Sequence, residues 1–184
     1  MSDTGSIIVR KATFADFSAI TEIYGHNCLH GTGTFALEPA TPQEMMSRWH
    51  EIRQMELPYL VAVDNGEVLG YAYASPFRTR PGYRYGIEDS IYIHPDHQGK
   101  GIGKLLLSDL IRETTDLGYY MMIAVIGDGK NAASINVHKA LGFDETGRLP
   151  NAGYKLGRWL DVVFMCRTLR PLDTPPIGNG WKSS

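Results

Sequence analysis

The stretch HPDHQGKGIGK, residues 94–104, places three alternating glycines between two apolar segments of the chain. The segment before it, IEDSIYI (87–93), predicts a strand, and the segment after it, IGKLLLSDLIRETTDLG (102–118), predicts a helix. A glycine-rich turn that leads into a helix can bind an anion, because free backbone N–H groups and the positive end of the helix dipole meet there. A tight turn without a ligand is the alternative.

The glycine spacing excludes two common phosphate-binding motifs. A P-loop ending at Gly103 and its following lysine requires a glycine at position 98, where Gln98 stands. The dinucleotide fingerprint fails as well, because it would need a further glycine at position 104 or 106, and neither position has one. The pattern that remains is Gln-x-x-Gly-x-Gly, formed by Gln98, Gly101 and Gly103.

The composition is that of one ordinary globular domain of 184 residues, 43% hydrophobic and 21% charged. A net charge of -2 provides no basic field for nucleic acid. No apolar run is long enough to span a bilayer, and the N-terminus lacks a signal-peptide pattern, so we expect a cytoplasmic protein without a membrane partner. Cys28 and Cys166 form neither a disulfide framework nor a metal-spaced set, which suits a reducing compartment.

The rest of the chain predicts an α/β (α+β) fold with a mixed sheet and helices on both faces. The predicted elements are a strand at 7–10, helices that begin near Thr13 and Thr41, a hairpin at 59–74, a strand at 87–93, a helix at 102–118, a strand at 119–127, a helix at 131–143 and a strand at 159–169. The central strand–helix–strand order indicates a parallel crossover, whereas the hairpin indicates antiparallel pairing. We expect a single domain at 7–169 and a proline-containing tail at 170–184, which is either a poorly packed extension or an arm laid on a partner.

This order of elements and the Gln-x-x-Gly-x-Gly loop resemble the GNAT superfamily of acetyl-CoA-dependent N-acetyltransferases over about residues 7–169. The segment NAASINVHKALGF (131–143) resembles a late helix of that family, with His138 where many members have tyrosine. That histidine is typical of the phosphinothricin acetyltransferase-like branch, as are SPFRTRPGYRY (75–85) and GYKLGRWLDVVFM (153–165). The resemblance implies the GNAT acyl-CoA N-acyltransferase fold, whose mostly antiparallel sheet splays at a parallel centre.

In that family the glycine loop wraps the pyrophosphate of coenzyme A, and the preceding strand pairs with the pantetheine arm as an added strand would. One main-chain amide of the strand can bind the thioester oxygen. The lysines of the loop are either charge partners of the phosphates or simply solvated. The resemblance therefore implies that acetyl-CoA contacts the following residues: Ile91, Tyr92, Ile93, Gln98, Gly99, Lys100, Gly101, Ile102, Gly103, Lys104, Asn131 and Ser134.

Acetyl transfer to an amine requires a base, because the amine must be neutral when it attacks. The resemblance implies that Glu88 is this general base, directly or through water, with a pKa raised by burial. A structural acid paired with a nearby arginine is the alternative for Glu88, and Asp89 faces the other side of the strand. His138 is implied to protonate the departing thiolate or to act as an auxiliary base, and a structural histidine is the alternative.

Two arginines in the loop before strand 87–93, Arg78 and Arg80, carry guanidinium groups that suit a carboxylate or phosphinate. Plain solvent exposure is the alternative for both. Tyr83 in the same loop and Phe35 between the first two helices are expected to line the amine pocket. The implied substrate is a small amino-acid-like amine such as phosphinothricin, methionine sulfone or methionine sulfoximine.

A metal is not expected, because His94, Asp96 and His97 lie too close together for a shared coordination sphere and a thioester is already activated. Two other functions stay open: acetylation of a peptide N-terminus or a polyamine, and a non-catalytic acyl-CoA-binding sensor. A polyamine would bind best in an acidic pocket, whereas Arg78 and Arg80, in the segment that we call the arginine loop (residues 75–85), favour an anionic substrate. A homodimer is expected, since members of the family usually form one.

Overall fold

The computed structural model describes residues 7–181 and contains one seven-stranded sheet with four α-helices in that part of the chain. The strands and helices are β1 (Ile8–Lys11), α1 (Phe17–His30), α2 (Pro42–Gln54), β2 (Tyr59–Asp64), β3 (Glu67–Pro76), β4 (Gly86–Ile93), α3 (Ile102–Asp116), β5 (Met121–Gly127), α4 (Ala132–Ala140), β6 (Asp144–Lys155) and β7 (Arg158–Thr168). The strand order is β1-β2-β3-β4-β5-β7-β6. Within the described residues, no helix combines the length and the apolar character that a membrane crossing requires.

The predicted helix caps are present at α2 and α4. The Thr41 hydroxyl accepts a hydrogen bond from the Glu44 N–H at 3.2 Å, and the Glu44 carboxylate accepts one from the Thr41 N–H at 2.7 Å. The Asn131 side chain accepts a hydrogen bond from the Ser134 N–H at 3.2 Å and so begins α4. α1 begins later than predicted, at Phe17, because a turn of 3-10 helix precedes it.

The core lies on both faces of the sheet. Five consecutive residues of β2, from Tyr59 to Val63, are buried, and neighbouring residues of a strand point to opposite faces. α1 packs against α2, and α3 packs against α4 and the central strands. The mixed sheet with helices on both faces is therefore confirmed.

β4 and β5 form the parallel pair of the sheet, and they stay together for half of the length of β4. Their pairing runs from Gly86 with Met121 to Asp89 with Ala124. Beyond that point β4 continues beside β3, and β5 continues beside β7. The two strands therefore diverge and leave a cleft, as the predicted splayed centre requires.

β6 was missed by the sequence-based prediction. Most of its side chains are exposed, so it lacks the alternation of apolar and polar residues that predicts a half-buried strand. β6 lies at the edge of the sheet and pairs with β7, with irregular register between Glu145 and Gly147 and between Leu149 and Gly153. Such irregularity further weakens the period of two in the sequence.

The tail packs back onto the protein as far as residue 181. The Trp181 side chain is 5% exposed, and its backbone N–H donates to the Arg84 carbonyl at 3.1 Å. The Tyr85 hydroxyl donates to the Gly178 carbonyl at 3.0 Å. Residues 171–179 are nevertheless exposed, so the tail contacts the protein at only a few points, and residues 182–184 lie outside the described part.

Candidate active site

A pocket of about 980 Å³ occupies the cleft between β4 and β5. Its walls come from residues 88–93 of β4, the glycine loop with the first turn of α3, the segment 124–138, and the segment 24–35, which contains the end of α1 and the loop after it. Arg48 of α2 and Tyr73 of β3 complete the lining. The pocket therefore joins the predicted anion-binding loop to the predicted base in one continuous space.

The glycine loop has the conformation and the open space that a bound pyrophosphate needs. Gly99 and Gly101 have φ angles of 74° and 80°, in the left-handed region that strongly favours glycine. A Cβ added at Gly99, Gly101 or Gly103 would meet no atom within 4 Å. The space beside these three glycines, which we call the cradle, is therefore open. Gly101 is the N-cap of α3, and the first N–H groups of a helix have no partner within it. The residues present therefore fit the diphosphate of acetyl-CoA.

The predicted acetyl-CoA contacts converge on this pocket with one exception. Lys100 is absent from the lining, and its ammonium lies 3.1 Å from Nδ1 of His97. The Ile102 side chain is buried in the core, which leaves its main chain for a ligand. The predicted contacts that line the pocket are Ile91, Tyr92, Ile93, Gln98, Gly99, Gly101, Ile102, Gly103, Lys104, Asn131 and Ser134.

The edge of β4 that faces the cleft carries free main-chain groups. The His94 N–H donates to the Leu69 carbonyl at 2.9 Å, which fixes the alternation of hydrogen bonds between β4 and β3. By that alternation the main-chain groups of Tyr92 point to β3, whereas those of Ile91 and Ile93 point into the cleft. Two residues of β4 can therefore pair with an extended ligand.

Glu88 is half-buried in the pocket wall, and its pKa is raised to about 7. Burial is the main cause, because it disfavours the charged carboxylate. The negative charge of Asp89 raises the pKa further, and the positive charge of Arg78 opposes the shift. A carboxyl group with such a pKa is half-ionised near neutral pH, so it can accept a proton there.

His138 is held on both sides of its ring. Its Nε2 lies 2.9 Å from Oδ2 of Asp89, and its Nδ1 lies 2.7 Å from the Ser134 carbonyl oxygen. The His138 and Asp89 side chains are 4% and 3% exposed. Burial lowers the His138 pKa, but hydrogen bonding to Asp89, the charge of Asp89 and the Ser134 carbonyl outweigh it, and the net shift is upward. Asp89, which the sequence placed on the far side of the strand, is thus a pocket residue.

The predicted substrate residues are split between two places. Phe35 lines the pocket, whereas Arg78, Arg80 and Tyr83 do not. The Arg78 guanidinium stacks on the Phe77 ring at 4.2 Å and acts on Glu88 through its charge. Arg80 is exposed, and Tyr83 borders a separate cavity of about 440 Å³ between the arginine loop and the tail.

Sequence reasoning missed Arg48 and Tyr73, which both line the pocket. The Arg48 guanidinium carbon lies 5.3 Å from the centre of the Tyr24 ring, and within residues 7–181 it forms no ion pair. Nothing in the local sequence of α2 distinguishes this arginine from a solvated one. The same described range holds no group of three or more residues arranged to bind a metal ion.

Comparison with known proteins gives the same fold and the same family. The model of the Acetyltransferase (GNAT) family matches residues 21–143. The phosphinothricin N-acetyltransferase of Alcaligenes faecalis is 43% identical over 90% of this chain and 84% of its own length. The L-methionine sulfoximine/L-methionine sulfone acetyltransferase of Salmonella typhimurium is 46% identical over 85% of this chain and 91% of its own length.

A solved structure extends the likeness to three dimensions. The crystal structure of a GNAT superfamily phosphinothricin acetyltransferase from Sinorhizobium meliloti in complex with AcCoA has a TM-score of 0.91 and 46% sequence identity, and the match covers 95% of both chains. The fold and the resemblance inferred from the loop and the late helix are thereby confirmed. With a family model over residues 21–143 and relatives 43% and 46% identical along most of their length, the chain belongs to the GNAT family of acetyltransferases.

Proposed function

We propose that this protein transfers the acetyl group of acetyl-CoA to the amino group of a small amino-acid-like acceptor. Phosphinothricin, methionine sulfoximine and methionine sulfone are the acceptors that the relatives' names support. The observation that carries the proposal is the continuity of the pocket, which connects the open glycine loop with a carboxyl group whose pKa is about 7.

When bound, acetyl-CoA supplies an activated acyl group, so the protein has to position two substrates and remove a proton. The N–H groups at the start of α3 and in the glycine loop hold the diphosphate. The cleft-facing main-chain groups of Ile91 and Ile93 would pair with the pantetheine arm, and one of the two N–H groups would polarise the thioester oxygen. Asn131 and Ser134, at the start of α4, line the same pocket and would contact the same arm.

Glu88 is the general base of the proposed reaction. An amino acid arrives mainly as an ammonium ion at neutral pH, and the amine must lose a proton before it can attack. A carboxylate with a pKa near 7 is a stronger base than an ordinary glutamate and is still substantially ionised at that pH. Glu88 takes the proton directly or through one water molecule.

Positive charge near the base favours an acceptor that carries an anionic group. Arg48 lines the pocket without an ion-pair partner among the described residues, and Arg78 acts on Glu88 through its charge. A guanidinium can bind a carboxylate or a phosphinate through two parallel hydrogen bonds. Arg80 and Tyr83 remain candidate acceptor contacts from the arginine loop, which would have to move toward the pocket to reach the acceptor.

We also propose that the protein acts as a homodimer. Trp159 and Tyr154 on the β6–β7 hairpin are 61% and 57% exposed, and their rings pack edge to face at 5.4 Å. Exposed apolar patches mark interaction sites, and most soluble oligomers are symmetric assemblies of identical subunits. We also propose that the protein is cytoplasmic, because both of its cysteines are free thiols.

The direct test of the proposed function is release of the coenzyme A thiol in the presence of a panel of acceptors. The panel contains phosphinothricin, methionine sulfoximine, methionine sulfone, ordinary L-amino acids, spermidine and a peptide with a free N-terminus. We expect turnover on the amino-acid analogues, with the N-acetyl product identified by mass spectrometry. Turnover on spermidine or the peptide alone would contradict the acceptor class, and acetyl-CoA binding without any turnover would indicate a sensor.

A further inference from the structure

The contact between Asp89 and His138 joins two elements across the cleft. Asp89 is the last residue of β4 that pairs with β5, and His138 lies on α4, which packs against β5. The Nε2 to Oδ2 distance is 2.9 Å, with both side chains almost fully buried. The contact therefore fixes α4 to β4 at the position where the pocket opens.

The hydrogen bonds of the ring define its protons. The Ser134 carbonyl oxygen can only accept, so Nδ1 of His138 must carry a hydrogen. Nε2 then carries a second hydrogen and donates it to the Asp89 carboxylate, because a lone pair facing an ionised oxygen at 2.9 Å would be repelled. The second oxygen of Asp89, Oδ1, is buried and has no hydrogen-bond partner within residues 7–181. Both ring nitrogens of His138 therefore take part in hydrogen bonds.

Among residues 7–181, the charge that acts on the His138 ring is that of Asp89. The groups that act on the His138 pKa are the Asp89 carboxylate from β4 and the Ser134 carbonyl from α4. The Phe143 ring packs edge to face against the imidazole at 5.0 Å. The charges of Asp89 and Arg78 act on the pKa of Glu88, the adjacent residue of β4, which has no hydrogen bond to the Asp89–His138 pair. The proton shared by Asp89 and His138 is therefore held apart from the one that Glu88 exchanges.

We propose that Asp89 is a positioning residue that closes His138 into a proton-sharing clamp between β4 and α4, leaving Glu88 as the group that takes the acceptor's proton. The proposal rests on the proposed acetyltransferase function for its consequence, but the clamp itself can be observed without turnover. It assigns His138 the task of holding Asn131 and Ser134 of α4 at a fixed distance from β4. It assigns the imidazole no transfer of a proton to the thiolate, since either nitrogen would have to break a buried hydrogen bond first.

The first readout is nitrogen-15 NMR of the His138 imidazole, identified by its disappearance in His138→Gln. We expect both ring nitrogens to be protonated from pH 6 to pH 8 in the wild-type protein. In Asp89→Asn the side-chain amide can donate to Nε2, so we expect one protonated nitrogen at pH 8 with the ring in place. A wild-type His138 that titrates with an ordinary pKa of about 6.5, or carries one proton at pH 8, would overturn the proposal.

The second readout is the dissociation constant of acetyl-CoA by calorimetry. Asp89→Ala removes the clamp, and we expect affinity to fall about tenfold, the size of a lost buried charge-assisted hydrogen bond. Asp89→Asn, which retains a hydrogen bond, should recover most of that affinity, and Asp109→Ala, at a half-buried position of α3 outside the pocket, should leave it unchanged. Equal affinity in Asp89→Ala and wild type would overturn the clamp.

The two proposals fail in different ways. If His138 is doubly protonated but the protein acetylates none of the acceptors in the panel, the proposed function is contradicted and the clamp is supported. If the protein acetylates the amino-acid analogues but His138 titrates with an ordinary pKa, the clamp is contradicted and the proposed function is supported. If Asp89→Ala does not fold, the Asp89→Asn spectrum decides, because that variant preserves the size and a hydrogen bond of the side chain.

Discussion

Asp89 and Ala124 are the last partners in the pairing of β4 with β5, and both residues line the pocket. The pocket therefore exists because a parallel pair of strands stops pairing at a defined position. Beyond that position β4 offers free main-chain groups on one side and the glycine loop at its end. Glu88 lies one residue before Asp89, in the paired part of β4, and is partly buried.

Removal of the Arg78 charge should make Glu88 a stronger base. The Arg78 guanidinium lowers the Glu88 pKa, so Arg78→Gln should raise it above about 7. The acid limb of the kcat/KM profile, measured with methionine sulfone at saturating acetyl-CoA, should then move to higher pH. Arg80→Gln is the matched control and should leave the limb in place. A limb that stays fixed in Arg78→Gln would show that Arg78 does not act on the base.

A side chain at Gly101 should weaken acetyl-CoA binding specifically. The φ angle of Gly101 is 80°, so Gly101→Ala strains the backbone by about 1 kcal/mol and fills the open cradle beside the loop. We expect about a tenfold rise in the dissociation constant of acetyl-CoA, measured by calorimetry. Gly66→Ala, at a φ of 87° in the turn between β2 and β3, should cost similar stability with normal binding. Equal binding by both variants would refute the cradle.

Loss of the exposed tryptophan of the β6–β7 hairpin should weaken the proposed dimer. Trp159→Ser removes the larger ring of the exposed aromatic pair, so we expect a shift from dimer to monomer in analytical ultracentrifugation at micromolar concentration. Leu172→Ser, at an equally exposed tail residue, should sediment like the wild type. A dimer that persists unchanged in Trp159→Ser would place the interface elsewhere, and a monomeric wild type would contradict the dimer itself.

The docked tail should contribute to stability. Trp181 is buried against the core, and truncation of a buried tryptophan costs about 3 kcal/mol. We therefore expect Trp181→Ala to lower the free energy of unfolding by about that amount in urea titrations followed by circular dichroism. Ile177→Ala, at an exposed position of the same tail, should change the free energy by less than about 0.5 kcal/mol. Equal stability of the two variants would mean that the tail does not dock in solution.

The glycine loop could be located from the sequence because its signals are local, whereas Glu88 was assigned as the base only through the resemblance to the GNAT family. A strand, a spaced set of glycines and an apolar helix follow one another within residues 87–118, and each has its own residue pattern. β6 could not be located in this way, because an exposed edge strand has no apolar face to mark it. The docked tail was missed for a similar reason, since a single Trp181 does not form a pattern.

The contacts that complete the site join segments far apart in the chain. Asp89 and His138 are 49 residues apart, and their pairing depends on how α4 packs on the sheet. Strand alternation correctly places Asp89 and Glu88 on opposite faces, but it does not reveal that the strand loses its neighbour there and that both faces border the pocket. Arg48 depends in the same way on the packing of α2 against α1.

Removal of the Glu88 carboxyl should separate binding from catalysis. Glu88→Gln keeps the size of the side chain and removes the basic group, so we expect kcat to fall about 100-fold or more. The dissociation constant of acetyl-CoA should stay within about twofold of the wild type, because Glu88 does not border the glycine loop. Glu22→Gln, on the exposed surface of α1, is the control and should behave as the wild type. Unchanged turnover in Glu88→Gln would eliminate Glu88 as the base.

The pH dependence of kcat/KM for methionine sulfone, compared between the wild type and Glu88→Gln, tests the proposed catalytic role most directly. Burial raises the Glu88 pKa to about 7, and the base works only when ionised, so activity should be lost as the pH falls through about 7. We predict an acid limb at that pH in the wild type and its absence from the residual activity of Glu88→Gln. The same limb in both proteins would contradict the assignment of Glu88 as the general base.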